Sequence, residues 1–179
     1  TPAVLDRIAT LRERDPFARV VILTATGLQA RAWQHRLAPR GLGVAIPVLS
    51  FYALNAHLLD AAGIALRELT PAARLQILKR LLADRAEAGD LRHFGPIAGA
   101  PGFRAALAAL IFELKQRRVN EIEFRAALLD AGVKFDDLQL LYEDYQTALR
   151  ETSTADHEGM GWRALEELHA DPDLFTPLD

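Results

Sequence analysis

Hydroxyl side chains standing directly after short β-branched apolar runs have the type and spacing in this chain best suited to chemistry, and that chemistry is the holding of phosphate oxygens. Thr24-Ala25-Thr26-Gly27 follows Val20-Val21-Ile22-Leu23, and Ser50-Phe51 follows the run from Val44 to Leu49. In parallel α/β sheets ligands gather at the carboxyl ends of strands. Hydroxyls and the N–H groups of helix N-termini suit phosphate there, and an aromatic ring such as Phe51 can stack on a base. Thr24, Thr26, Ser50 and Phe51 are therefore the candidate phosphate- and base-contacting residues. A structural reading competes: Thr26 and Ser50 cap the helices that follow them, and Phe51 belongs to a core.

Other constellations are incomplete. The chain contains neither a G-x-x-x-x-G-K-[ST] phosphate loop nor G-x-G-x-x-G, and its five histidines are scattered. Asp156-His157-Glu158 offers metal-ligating types, but adjacent helical positions point apart, and Asp156 reads better as a helix cap. Glu113-Leu114-Lys115 matches half of a metal-dependent nuclease motif, which requires a strand and a partner aspartate; here it falls within a helical pattern. Lys115, Arg117 and Arg118 close that helix, where cations complement the helix dipole or touch phosphate. No catalytic, cofactor-binding or metal-binding residue is assigned.

Composition narrows the classes. Net charge is −3, so any nucleic-acid contact must come from a local patch. Cysteine is absent, which excludes disulfides, thiolate zinc sites and thiol catalysis. No stretch approaches the roughly 20 apolar residues of a membrane span, and Thr1 to Arg7 lacks a signal-peptide layout. The expectation is a cytoplasmic protein with no membrane association.

The elements that must position these residues come in two styles. Leu5, Ile8 and Leu11 predict a short helix, and Val20 to Leu23 a buried strand. Leu28, Ala32, Trp33 and Leu37 predict a helix, and Val44 to Leu49 a second strand, with Pro47 at an edge or irregular start. Leu54 and Leu58 continue as a helix closed by Gly63. Two strands joined by one helix form a parallel pair, which needs unusually good helical cover or further strands. From Thr70-Pro71 onward the period is helical: Leu75, Leu78 and Leu82; Phe103, Leu107, Leu110, Ile111 and Leu114; Phe124 and Leu128 after an Asn120–Glu123 capping box; Leu138, Leu141, Tyr142, Tyr145 and Leu149; then Trp162, Leu165 and Leu168.

Taken in order, these pieces resemble a known family. Val20 to Leu37 resembles the strand–threonine–helix segment of UvrD-like superfamily 1 helicases, where motif Ia grips single-stranded DNA. Val48 to Leu54 resembles the segment after it, and Ala155 to Gly159 with Trp162 to Leu165 resembles the stretch before a Walker B strand. Leu69-Thr70-Pro71 to Leu82, Pro101 to Gln116 and Tyr142 to Gln146 are similar to the helical stretch of AddB-type subunits, which carry a PD-(D/E)xK nuclease domain at their far C-terminal end. One departure is local: where motif Ia usually continues Asn-Lys-x-Ala, this chain has Gly27-Leu28-Gln29-Ala30.

The resemblance implies an α/β, predominantly helical fold: a partial P-loop NTPase-like (RecA-like) parallel βαβ unit with an inserted helical subdomain. The expected domains are 1–69, a core segment; 70–152, the helical subdomain; and 153–179, the return to the core. Thr1 to Leu5 would begin the helix after a phosphate loop, and Asp179 would stand near the Walker B strand. The implied function is a DNA-binding or scaffold module of an ATP-dependent helicase–nuclease in double-strand break repair. Its partners would be single-stranded DNA, bound weakly, and a partner helicase–nuclease subunit. ATP and Mg would serve the parent protein, with no cofactor in this chain and no ATP or DNA turnover by the chain alone. The rival is an inert protein-interaction domain that holds the partner subunit.

Overall fold

The computed structural model describes residues 2–15, 18–42 and 46–175, and its fold is α/β and mostly helical. It divides into two compact units, Thr1–Ile64 with Arg163–Asp179, and Ala65–Trp162.

In the first unit α1 (Pro2–Arg14) precedes β1 (Ile22–Thr24), α2 (Gly27–Leu37), β2 (Val48–Ser50) and α3 (Phe51–Ala61). β1 and β2 pair in parallel, Ile22 opposite Val48, Leu23 opposite Leu49 and Thr24 opposite Ser50. Both strands are shorter than the runs that announced them, and Val44 and Ala45 lie outside the described residues. Pro47 stands just before β2, where its missing N–H costs nothing and its carbonyl accepts from Ile22 N at 3.0 Å.

Leu5, Ile8, Ile22, Ala30, Leu37, Ile46 and Val48 form this unit's core, with Val20, Trp33 and Leu42 against it. Leu11 is not among them. Steps of three residues fall about 60° short of a turn each time, so Leu11 has rotated out of the face of Leu5. Leu28 and Ala32 are likewise exposed. They form an i, i+4 row on the side of α2 opposite Ala30, Trp33 and Leu37. The expected stripe had merged two faces. In α3, Leu54 and Leu58 are buried, and Gly63 closes the helix at φ 69°.

In the second unit β3 (Arg67–Glu68) leads to α4 (Pro71–Glu87), α5 (Pro101–Gln116), α6 (Glu121–Ala127), α7 (Val133–Glu151), β4 (Thr154–Ala155) and the start of α8 (His157–Ala170). α4 packs on α5 and α7, and α6 on α7. Their stripes meet in a core of Leu78, Leu82, Leu107, Ile111, Phe124, Leu141, Tyr142, Tyr145 and Leu149 with their neighbours. Caps set the helix starts. Thr70 accepts from Ala73 N at 3.2 Å ahead of Pro71, and Asn120 with Glu123 forms the full capping box. Asp137 is buried and accepts from the backbone N–H groups of Arg92, His93 and Phe94 at 3.2, 2.9 and 2.9 Å. It thereby fixes the connection between α4 and α5.

The two compact units are bounded in sequence at 64/65 and 162/163. β3 pairs in parallel with β4, Arg67 opposite Thr154 and Glu68 opposite Ala155. This ladder keeps residues 65–69 and 153–162 with the helices they flank.

Candidate functional site

The first unit holds the four residues singled out at the strand ends. Parallel pairing of Thr24 with Ser50 sets the starts of α2 and α3 beside each other. Thr24 is buried, and its hydroxyl donates to the carbonyls of Thr26 and Leu49, both at 3.1 Å. That bond ties the two strand ends together. Thr26 caps α2, its Oγ1 accepting from Gln29 N at 3.2 Å, while Gln29 Oε1 accepts from Ala25 N at 3.1 Å. Ser50 caps α3 in the same way, accepting from Ala53 N at 3.2 Å. The capping reading of both hydroxyls is therefore realised.

Phe51 differs. It opens α3 and is 55 % exposed, so it is not a core residue. Tyr52 is 43 % exposed, Leu23 39 % and Leu28 79 %. Neither α2 nor α3 has an acidic residue in its first turn. The positive ends of both helix dipoles therefore receive no counter-charge from their own first turns. Sequence reasoning missed the exposure of Leu28, because it had been placed in a core stripe.

A second polar cluster lies in the helical unit, and it is sealed. Lys115 Nζ pairs with Asp156 Oδ1 at 2.5 Å, with side chains only 2 % and 4 % exposed. Asp156 also accepts from Tyr145 OH at 2.9 Å and from Gly159 N at 2.8 Å, while Lys115 donates to Gln146 Oε1 at 3.2 Å. Trp162 Nε1 donates to the Lys115 carbonyl at 3.0 Å, and the ammonium stands 5.5 Å from the Trp162 ring and 5.8 Å from that of Tyr145. Burial, then the Asp156 charge, pushes the Tyr145 hydroxyl well above the usual phenol range.

Sequence reasoning took Lys115 as a cation that complements the helix dipole or touches phosphate; its burial leaves no room for the phosphate contact. Gln146, Tyr145 and Asp156 offer it a desolvated partner set that linear spacing does not reveal. Glu113 is exposed while Lys115 is buried, so the two do not converge as a nuclease pair would. Asp156 caps α8 as expected, and His157 turns to Glu68 with Nδ1 3.5 Å from its Oε1. Among the described residues no three His, Asp or Glu side chains gather as a metal site requires, and no helix is long and apolar enough to cross a membrane.

A search of curated proteins finds no match to the chain. The model of the family described as ADDB, N-terminal, matches residues 35–170, a span that holds Ser50, Phe51 and the whole helical unit but not Thr24 or Thr26. With more than half of its length matched, the chain belongs to the ADDB N-terminal family.

Proposed function

We propose that this chain is a DNA-binding and scaffold module of an ATP-dependent helicase–nuclease of the AddB kind, acting at double-strand ends in recombinational repair. Family membership supports the repair context. The parallel β1–α2–β2 unit is the part of the fold that a RecA-like helicase core would supply. The observation that carries the reading is Phe51, exposed in the first turn of α3 at the carboxyl end of β2. In this scheme Phe51 stacks on a base, and the first-turn N–H groups of α2 and α3 face phosphate. Thr26 and Ser50 hold those turns in place, and Thr24 locks the strands together. Phosphoryl transfer in P-loop proteins relies on a glycine-rich loop, its lysine and a Walker B carboxylate. The residues at these strand ends supply none of them, so ATP and Mg are assigned to the parent protein and no step is routed through this chain.

Fluorescence anisotropy with a labelled oligo-dT tests the reading. Phe51→Ala should weaken binding by about 1–3 kcal/mol while leaving the fold intact. Equal binding by a folded variant would remove Phe51 from the interface.

A second reading is favoured by the exposed Leu28 and Leu23 and by hydroxyls already committed to caps: the strand ends dock a partner helicase–nuclease subunit instead of DNA. Absence of any DNA binding by the parent chain would leave this one standing.

A further inference from the structure

Charge is distributed unevenly along the chain. Acidic residues outnumber basic ones 24 to 21 overall, yet residues 16–59 contain no Asp or Glu at all. Within that stretch α2 and the single 3-10 turn after it, Ala38–Arg40, carry Arg31, Arg36 and Arg40, all exposed. None of the three meets a carboxylate among the described residues. Arg36 lies 5.8 Å from the Trp33 ring, and Arg40 donates to the Arg36 carbonyl at 3.3 Å.

Elsewhere the same residue type is neutralised from within. Arg85 is held by Asp144 and Asp90, Arg92 by Asp136, Arg125 by Glu143 and Arg150 by Glu121. The acidic residues of the first unit are confined to α1, Asp15, the end of α3 and the return segment, whose last turn packs on α3. Arg36 and Arg40 stand four apart, a spacing at which like charges repel by a few tenths of a kcal/mol. Their position at the end of α2 recovers a similar amount through the helix dipole. That dipole explains neither the missing carboxylates nor Arg31, which lies in the second turn of α2.

We infer that the exposed side of α2 is a phosphate-binding track for single-stranded nucleic acid, with Arg31, Arg36 and Arg40 as its cations. The inference rests on the DNA-binding reading above and adds to it the backbone contacts that Phe51 cannot make. Arg31 and Arg36 are separated by about 7 Å along the helix axis and about 140° around it, so they flank the exposed side of α2, Arg36 against the Trp33 ring. A strand whose bases meet Phe51 at the start of α3 would send its backbone along the neighbouring α2.

The test measures log K against log salt for labelled oligo-dT and for an abasic oligonucleotide of equal length. The parent chain is compared with the triple variant Arg31→Gln/Arg36→Gln/Arg40→Gln. A control variant, Arg80→Gln/Arg92→Gln, removes two paired arginines from the helical unit. Each phosphate contact on a single strand contributes about 0.7 to the slope, so the triple variant should be shallower by about 2 with both probes. The control should match the parent, and Phe51→Ala should matter only with oligo-dT. An unchanged slope in a triple variant that binds and keeps its helix content overturns the track but leaves the DNA-binding reading standing. An equal loss in the control overturns the track as well, because charge anywhere would then suffice. If the parent binds neither probe, both ideas fall.

Discussion

Lys115→Met tests how the helical unit is held together. The substitution keeps an unbranched apolar stem, one atom shorter, but removes the ammonium that pairs with Asp156 at 2.5 Å. Breaking a buried pair from one side costs about 3–5 kcal/mol, because the remaining charge stays desolvated. Here the Asp156 carboxylate would retain the Tyr145 hydroxyl and the Gly159 N–H, at 2.9 and 2.8 Å. These two donors place the cost at the lower end, about 3 kcal/mol. In a chain of this size that loss lowers Tm by about 6–12 °C. Urea unfolding followed by the fluorescence of Trp162, whose indole bonds the Lys115 carbonyl, reads the change directly, with Trp33→Phe removing the other indole. Asp156→Asn and the double variant complete a cycle, in which the two losses should fall well short of adding. If Lys115→Met lies within about 0.5 kcal/mol of the parent, the range of ordinary surface changes, the pair is not a constraint on the fold and the reasoning fails.

Gly159→Ala should destabilise the chain by about 1–3 kcal/mol, although alanine is the better helix former by about 1 kcal/mol. A Cβ there would stand 2.8 Å from Asp156 Oδ1 and 3.1 Å from Lys115 Nζ; a raised urea midpoint would refute this. Burial pushes the Glu121 carboxyl up, but its backbone hydrogen bond and that from Arg150 outweigh burial and hold it below its ordinary 4.5. The stability it lends is complete above that pH and is lost as pH falls through the lower folded value. Glu121→Gln should therefore flatten the acid limb of a Tm-against-pH curve below about pH 4.5 and leave its shape near neutrality unchanged, whereas a parallel acid limb would deny the pair any role.

Much of the fold was legible because period and capping agree over long segments. α5 and α7 each bury a stripe that spacing alone identifies, α4 buries Leu78 and Leu82 of its stripe but leaves Leu75 exposed, and Asn120 with Glu123 marks the start of α6 to the residue. The two-residue strands β3 and β4 were not legible, since a period cannot be read from two residues and their pairing is long-range. At the strand ends, residue type identified Thr26 and Ser50 as caps or ligands without deciding between them. The decision depends on which backbone N–H lies within reach, a three-dimensional fact. Leu28 shows a different limit: α2 has apolar residues on two sides, and the sequence alone does not say which side is covered. Lys115 was misplaced because a cation near a helix end looks the same in sequence whether or not a carboxylate waits in the neighbouring helices.

The pairing of Arg67 with Thr154 makes the helical unit a cassette whose entrance and exit meet, two strands about 4.8 Å apart. Closing that loop is an entropic expense of about 4 kcal/mol beyond a constant, and it grows only with the logarithm of loop length. The helices inside can assemble first from contacts between near neighbours, with the ladder as the clasp that shuts afterwards. Doubling the intervening chain would add only about 0.6 kcal/mol. Lengthening or shortening the interval between the two strands thus changes the closure cost little, while the ladder keeps the point of insertion fixed.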